Sequence, residues 1–124
     1  MILADTTIWV EFLKGHQPYL EQMGQLLEER QILAVEPVFG ELLQGAKDDR
    51  ERRVLTGYWE NLPKMPVRDA WIKAGDASSR NKWLDQGIGL IDAVLIVCAR
   101  ECKAKIWTLD KKLKGVLNKT EIFE

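Results

Sequence analysis

Ile2-Leu3-Ala4-Asp5-Thr6-Thr7-Ile8-Trp9-Val10 opens the chain, and its reading decides the fold. A short apolar run leads directly into an acid and two hydroxyl residues. An amphipathic segment, Ile8 to Leu13, follows. This pattern predicts a buried strand that ends at Asp5 and turns into a helix. In a parallel sheet Asp5 would stand at a strand's carboxyl end, where open α/β folds place their ligands. An equally simple reading makes Asp5, Thr6 or Thr7 the helix cap.

Strand-to-helix alternation continues beyond this stretch. The first helix, Asp5 to Leu13 with its cap, stops at Gly15, and a second runs from Pro18 to about Arg30 with Tyr19, Leu20, Met23, Leu26 and Leu27 at helical spacing. Ile32-Leu33-Ala34-Val35 reads as a short strand. Pro37 suits the first turn of a third helix, to about Ala46, because its missing N–H would be unpaired there anyway. Val38, Phe39, Leu42, Leu43 and Ala46 share a face of that helix, and Glu41 lies on its flank. Asp48 to about Leu62 is a charged helix whose buried stripe is Val54, Leu55, Tyr58, Trp59 and Leu62. Its run Asp48-Asp49-Arg50-Glu51-Arg52-Arg53 reads as a solvated face.

Two prolines make any strand over Pro63 to Val67 short and placed at a sheet edge. Asp69 is a candidate cap for a long helix to about Gln86, with Trp71, Ala74, Ala77, Trp83 and Leu84 as core or interface and Asp76 and Asp85 at the surface. After the Gly87-Ile88-Gly89 loop, Leu90 to Ala99 is a helix apolar all round once past Asp92, which marks it as buried. Asp92 falls in its first turn, where the helix's positive end favours an anion. Lys105 to Thr108 is a late strand, Lys111 to Leu117 a helix, and Glu121 to Phe123 a last strand. Alternation of this kind predicts βαβ units and a parallel sheet. With 124 residues and no dividing linker, residues 1–124 read as one domain.

Composition excludes several functions. Apolar residues make up 46% of the chain and charged residues 30%, as in an ordinary globular protein. No run is apolar enough to span a membrane, and the first residues lack a signal peptide's basic start and cleavage site, so a cytoplasmic protein is expected. Cys98 and Cys102 read as small hydrophobes in a reducing compartment; a zinc site would need a second pair of soft ligands, which the sequence lacks. The one histidine, His16, sits in a loop-like stretch, so mechanisms needing two are excluded by count. Ser78 and Ser79 lie mid-helix without nucleophile-elbow glycines. A net charge of −1 makes no global case for nucleic-acid binding. It does not oppose one either, because acids around a metal can coexist with bases at the rim.

Asp5 and Asp110 each follow a strand, while Asp92 and Glu41 start or flank helices that pack on the sheet. Right-handed crossovers put successive strand ends on one edge, so the four carboxylates can share a crevice. Each also has a bland reading, as a cap or a solvated surface acid. Together they repel one another unless a cation compensates. Oxygen ligands with no histidine or thiolate nearby suit Mg²⁺ or Mn²⁺. Such a site suits phosphodiester hydrolysis, with Thr6, Thr7 and Thr108 placed to hydrogen-bond the ligands or the metal's waters.

The residues Ile2-Leu3-Ala4-Asp5-Thr6-Thr7-Ile8-Trp9, Glu41-Leu42-Leu43-Gln44-Gly45-Ala46, Leu90-Ile91-Asp92-Ala93 and Thr108-Leu109-Asp110-Lys111 resemble, in order and spacing, the PIN-domain ribonucleases, and among them the VapC-type toxins of prokaryotic toxin–antitoxin pairs. The resemblance implies a three-layer α/β/α sandwich around a central parallel sheet. It also implies an endoribonuclease dependent on Mg²⁺ or Mn²⁺, with Asp5, Glu41, Asp92 and Asp110 at the family's acidic positions. An RNA substrate, a homodimer and a cognate antitoxin whose tail fills the acidic crevice come with it. Thr7 departs from the family's frequent Ser or Asn, and Leu113 from a frequent aromatic. Candidate phosphate contacts are Lys14, Arg80, Lys82, Lys111, Lys112 and Lys114, each read more simply as an ordinary surface charge.

Two other readings stay open. One is a catalytically inactive PIN scaffold that binds RNA or protein. The other is a receiver-like signalling domain, which would need an acidic pair at the end of the first strand, where this chain has Ala4 before Asp5.

Overall fold

The computed structural model describes residues 1–64 and 66–124. Strand β1 (Ile2–Ala4) pairs in parallel with β2 (Lys105–Trp107), in the register Ile2 to Lys105, Leu3 to Ile106 and Ala4 to Trp107. All three β1 residues are buried, which is why the run is apolar without alternation: both faces of the strand are covered. Two single parallel bridges widen this core, Ile2 with Ile32 on one side and Ile106 with Ile122 on the other. The order across the sheet is therefore residue 32, β1, β2, residue 122, all parallel, as the alternation predicts.

The flanking strands are shorter than the sequence suggests. Over Ile32–Val35 only Ile32 pairs; Leu33 donates its N–H to Ile2 O at 2.8 Å, and Ala34 turns instead to Pro63 O at 2.9 Å. The expected strand Glu121–Phe123 is replaced by a 3-10 turn (Lys119–Glu121) and the bridge at Ile122, because Glu121 is drawn into that turn's capping box with Asn118. No strand forms among the described residues of Pro63–Val67; Met65 lies outside them.

Among the described residues seven helices join these pieces: α1 (Thr6–Leu13), α2 (Tyr19–Glu28), α3 (Glu36–Gln44), α4 (Asp49–Asn61), α5 (Ala70–Asn81), α6 (Leu90–Cys102) and α7 (Lys111–Val116). Helix α1 packs on β1 and carries α2 and α3; α6 packs on β2 and carries α5. Two helical groups thus flank the strands. Helix α6 is buried as its composition demands, with Ala93, Val94, Leu95, Ile96, Cys98 and Ala99 all inside. Around Trp9 the aromatic rings of Phe39 and Tyr58, each 5.2 Å away between centroids, meet it edge-on.

Several sequence expectations need correction. The long helix does not reach Gln86: α5 ends at Asn81, Lys82 takes a left-handed conformation, and a separate 3-10 turn covers Leu84–Gln86. Asp69 precedes α5 but is itself left-handed, at φ 55°, and makes no side-chain cap. Trp71 and Leu84 are exposed, the latter 75%, rather than placed in the core. Leu43 and Val54 also face solvent rather than the core. Leu113 is fully buried, so the aliphatic residue fills the core at that position.

Two isoleucines on neighbouring helices should respond oppositely to truncation. Ile96 on α6 is fully buried, and Ile96→Ala should cost about 2–5 kcal/mol in denaturant unfolding. Ile72 on α5 is 76% exposed, and Ile72→Ala should stay within about 0.5 kcal/mol of the parent.

Candidate active site

The sheet register places Asp5 beside Thr108, one residue past the last pair of β1 and β2. Asp5 N–H donates to Trp107 O at 3.0 Å, which carries the ladder one step further. The Asp5 carboxylate is 4% exposed. Its Oδ1 accepts from Thr7 N–H at 3.0 Å, Ile8 N–H at 3.3 Å and the Thr7 hydroxyl; its Oδ2 accepts from the Thr108 hydroxyl. Asp5 is therefore both the cap of α1 and the floor of the site. Its capping role and its place at the carboxyl end of β1 are compatible in one geometry.

Both threonines also accept. Leu109 N–H donates to Thr7 Oγ1 and Asp110 N–H to Thr108 Oγ1, each at 3.0 Å. Two short relays thus run from the backbone after β2 through hydroxyls to Asp5. Asp110 repeats the pattern at the start of α7: its Oδ1 caps Lys112 N–H at 2.8 Å and Leu113 N–H at 3.4 Å. On α3, Glu41 is exposed, and its Oε1 accepts from the Thr6 hydroxyl at 2.7 Å. Asp92 lies in the first turn of α6, half-buried, with no hydrogen bond to its carboxylate among the described residues.

The four acids share one electrostatic neighbourhood. Asp92 is raised from 3.8 to about 6, first by burial and then by the negative charges of Asp110, Asp5 and Glu41. Asp5 is raised as well, burial outweighing its four hydrogen bonds. None of the four takes part in an ion pair among the described residues, where the salt bridges lie elsewhere. Metal affinity is what this chemistry favours: hard oxygen donors, mutual repulsion and no basic partner to relieve it. The shell is not closed, however. No group of three His, Cys, Asp or Glu among the described residues could hold an ion as the side chains stand. One oxygen each of Asp5 and Asp110 is occupied by capping, and Glu41 is held by Thr6.

The acids and threonines that the sequence singles out lie near one another in the structure, but the sequence reading missed how the backbone serves them. No pattern announces that Leu109 and Asp110 would donate N–H groups to Thr7 and Thr108; that follows from the register alone. It also missed Gly87, at φ 82°, where an added Cβ would stand 2.9 Å from Lys112 Cδ. The glycine lets the Lys112 stem lie against the loop that leads to Asp92. His16 is a surface residue bonded to Glu11 at 2.5 Å, outside the site as expected. Arg80 pairs with Asp76 on α5.

The sequence pattern that defines the family described as PIN domain matches residues 2–117. The chain is 30% identical over 118 residues to ribonuclease VapC32 of Mycobacterium tuberculosis, covering 93% of this chain and 89% of that protein. It is 38% identical over 73 residues to ribonuclease VapC11 of the same species, covering 56% of this chain and 54% of that protein. The same figures hold for a VapC ribonuclease of Mycobacterium bovis. The chain thus matches about half the length of the latter two relatives and most of VapC32.

Thr108→Val should destabilise the fold by about 1–3 kcal/mol, because it removes a hydrogen bond from a buried carboxylate while keeping the volume. For Asp92 the sign is opposite. A carboxyl whose folded value is raised holds its proton more tightly when folded, so stability falls as pH rises between 3.8 and about 6 and levels off above. Asp92→Asn removes that loss: metal-free, the variant should melt no lower than the parent at neutral pH, and their difference should shrink at acid pH. A lower melting temperature at neutral pH would make Asp92 a helix-start residue only.

Proposed function

Because the chain belongs to the PIN domain family, we propose that it is a metal-dependent endoribonuclease, hydrolysing RNA phosphodiester bonds as the toxin of a toxin–antitoxin pair. One observation carries this reading: four carboxylates gather at the carboxyl ends of β1 and β2 with no basic side chain paired to them among the described residues. The names of the relatives supply the substrate, since VapC11 and VapC32 are ribonucleases.

Asp5, Glu41, Asp92 and Asp110 are the residues that would hold the cation, Mg²⁺ or Mn²⁺ by the hardness of their oxygens. When bound, it supplies charge neutralisation at the scissile phosphate and makes water a stronger nucleophile near neutral pH. The chain's own contribution is positional. Thr7 and Thr108 hold both Asp5 oxygens, and Thr6 holds one Glu41 oxygen, so these hydroxyls set the orientation from which the acids would close on the cation. Asp92, with no hydrogen bond to its carboxylate among the described residues and three acids around it, is the carboxylate whose charge a cation would relieve most. Partners on this reading are RNA, a second copy of the chain and a cognate antitoxin. No helix among the described residues is long and apolar enough to cross a membrane, and the free Cys98 and Cys102 agree with a reducing cytoplasm.

A metal-dependent cleavage assay on total cellular RNA, with product ends mapped, tests the proposal. Cleavage should require Mg²⁺ or Mn²⁺ and stop with EDTA. Asp5→Asn should lower the rate by roughly 100-fold or more while the variant stays folded by circular dichroism. An inert parent protein would leave the inactive scaffold in its place, and an Asp5→Asn variant as active as the parent would remove Asp5 from the mechanism.

A further inference from the structure

A cleft of about 540 Å³ opens beside the acids between α1, α3 and α4. Thr6 and Glu41 are among its lining, so the cleft and the acidic site share residues. Its apolar lining includes Leu13 and Val54, 41% and 46% exposed, both apolar side chains that the core does not use. Three cations line it: Lys14 at the end of α1, Lys47 before α4 and Arg50 in the first turn of α4. None of the three forms an ion pair among the described residues. Besides Glu41 two more acids line the cleft, and one oxygen of each accepts a backbone N–H. Asp48 accepts from Glu51 N–H at 2.8 Å, and Glu51 accepts from Lys47 N–H at 2.7 Å.

We propose that this cleft leads single-stranded RNA into the acidic site, with Lys14, Lys47 and Arg50 contacting phosphates on one side of the scissile bond and Leu13 and Val54 lying under a base. The proposal rests on the nuclease reading. Four carboxylates repel a polyanion, so a strand can lie beside them only where neighbouring cations hold it. Unpaired cations next to the site lie on this wall and on α7, where Lys111, Lys112 and Lys114 follow Asp110; only the wall adds an apolar floor to them. An apolar floor reaches a base's face only when the base is unstacked, which favours a single strand over a duplex. The charge run beginning at Asp48 is thereby divided. Arg52 is tied to Asp49 at 2.5 Å and, with Arg53, faces a different surface hollow, whereas Arg50 turns to the cleft.

The test uses a labelled RNA fragment spanning a site mapped on total RNA, cleaved with Mg²⁺ at several salt concentrations. The triple variant Lys14→Gln/Lys47→Gln/Arg50→Gln changes exposed side chains only. It should raise KM roughly ten-fold or more with kcat unchanged, and its salt dependence of log kcat/KM should be shallower by about 2, at roughly 0.7 per lost phosphate contact. Leu13→Ser/Val54→Ser should also raise KM but leave the salt slope as it is. Arg52→Gln/Arg53→Gln should behave as the parent. A triple variant with the parent's KM and salt slope overturns the proposal and leaves the cleft to a protein segment. If Lys111→Gln/Lys112→Gln/Lys114→Gln alone changes both, the strand crosses α7 instead, which overturns it equally. Absence of any mapped cleavage by the parent protein is a different result, the failure of the nuclease reading itself.

Discussion

Burying the Asp5 carboxylate obliges the surrounding chain to satisfy it, and most of the site follows from how that is done. The charge is removed from water at the point where β1 ends, so every hydrogen bond it needs must come from nearby backbone or hydroxyls. Two come from the first turn of α1 and two from threonines, one on each strand's continuation. Thr7 and Thr108 accept in turn from the backbone after β2. The arrangement therefore ties together two chain segments a hundred residues apart, and it does so through a group that remains acidic. Burial still wins over these bonds, since Asp5 stays above its ordinary value.

Helix capping and site chemistry use the same atoms here. Asp5 and Asp110 each stand between a strand and a helix, and each gives one oxygen to the helix's free N–H groups. Capping uses Oδ1 of each, while Asp5 Oδ2 accepts from the Thr108 hydroxyl. Asp92 is the exception: it starts a helix but caps nothing, and burial together with three neighbouring acids lifts it to about 6. It is the least satisfied of the four and so has the most to gain from a cation. The cost of crowding falls on the apo protein, which is a common feature of sites whose geometry serves binding rather than stability.

A negative crevice needs a positive approach if its substrate is an anion. Bases are not abundant in excess here, with 18 basic against 19 acidic side chains, so placement matters more than number. Arg80, Lys73 and Arg100 are held in ion pairs on other surfaces, whereas Lys14, Lys47 and Arg50 line the cleft that Glu41 also lines.

From the amino-acid order alone the α/β class, the parallel sheet, the buried α6 and all four acids could be read, because each leaves a local signature: apolar runs, helical periods, an acid directly after a strand. Strand lengths were less legible. Ile32–Val35 is as apolar as β1, yet it pairs at one residue, since Ala34 finds its partner in Pro63, 29 positions away. The breaks in the α5 region were likewise hidden, because Asp69 and Lys82 take left-handed conformations that no periodicity marks, and so was the exposure of Trp71 and Leu84. Only the tertiary structure decided that Thr108 bonds Asp5, that burial and three acids lift Asp92, and that Arg50 and not Arg52 lines the cleft. Each of these depends on register and helix rotation, which set which distant side chains meet, and a local pattern carries no information about partners so far along the chain.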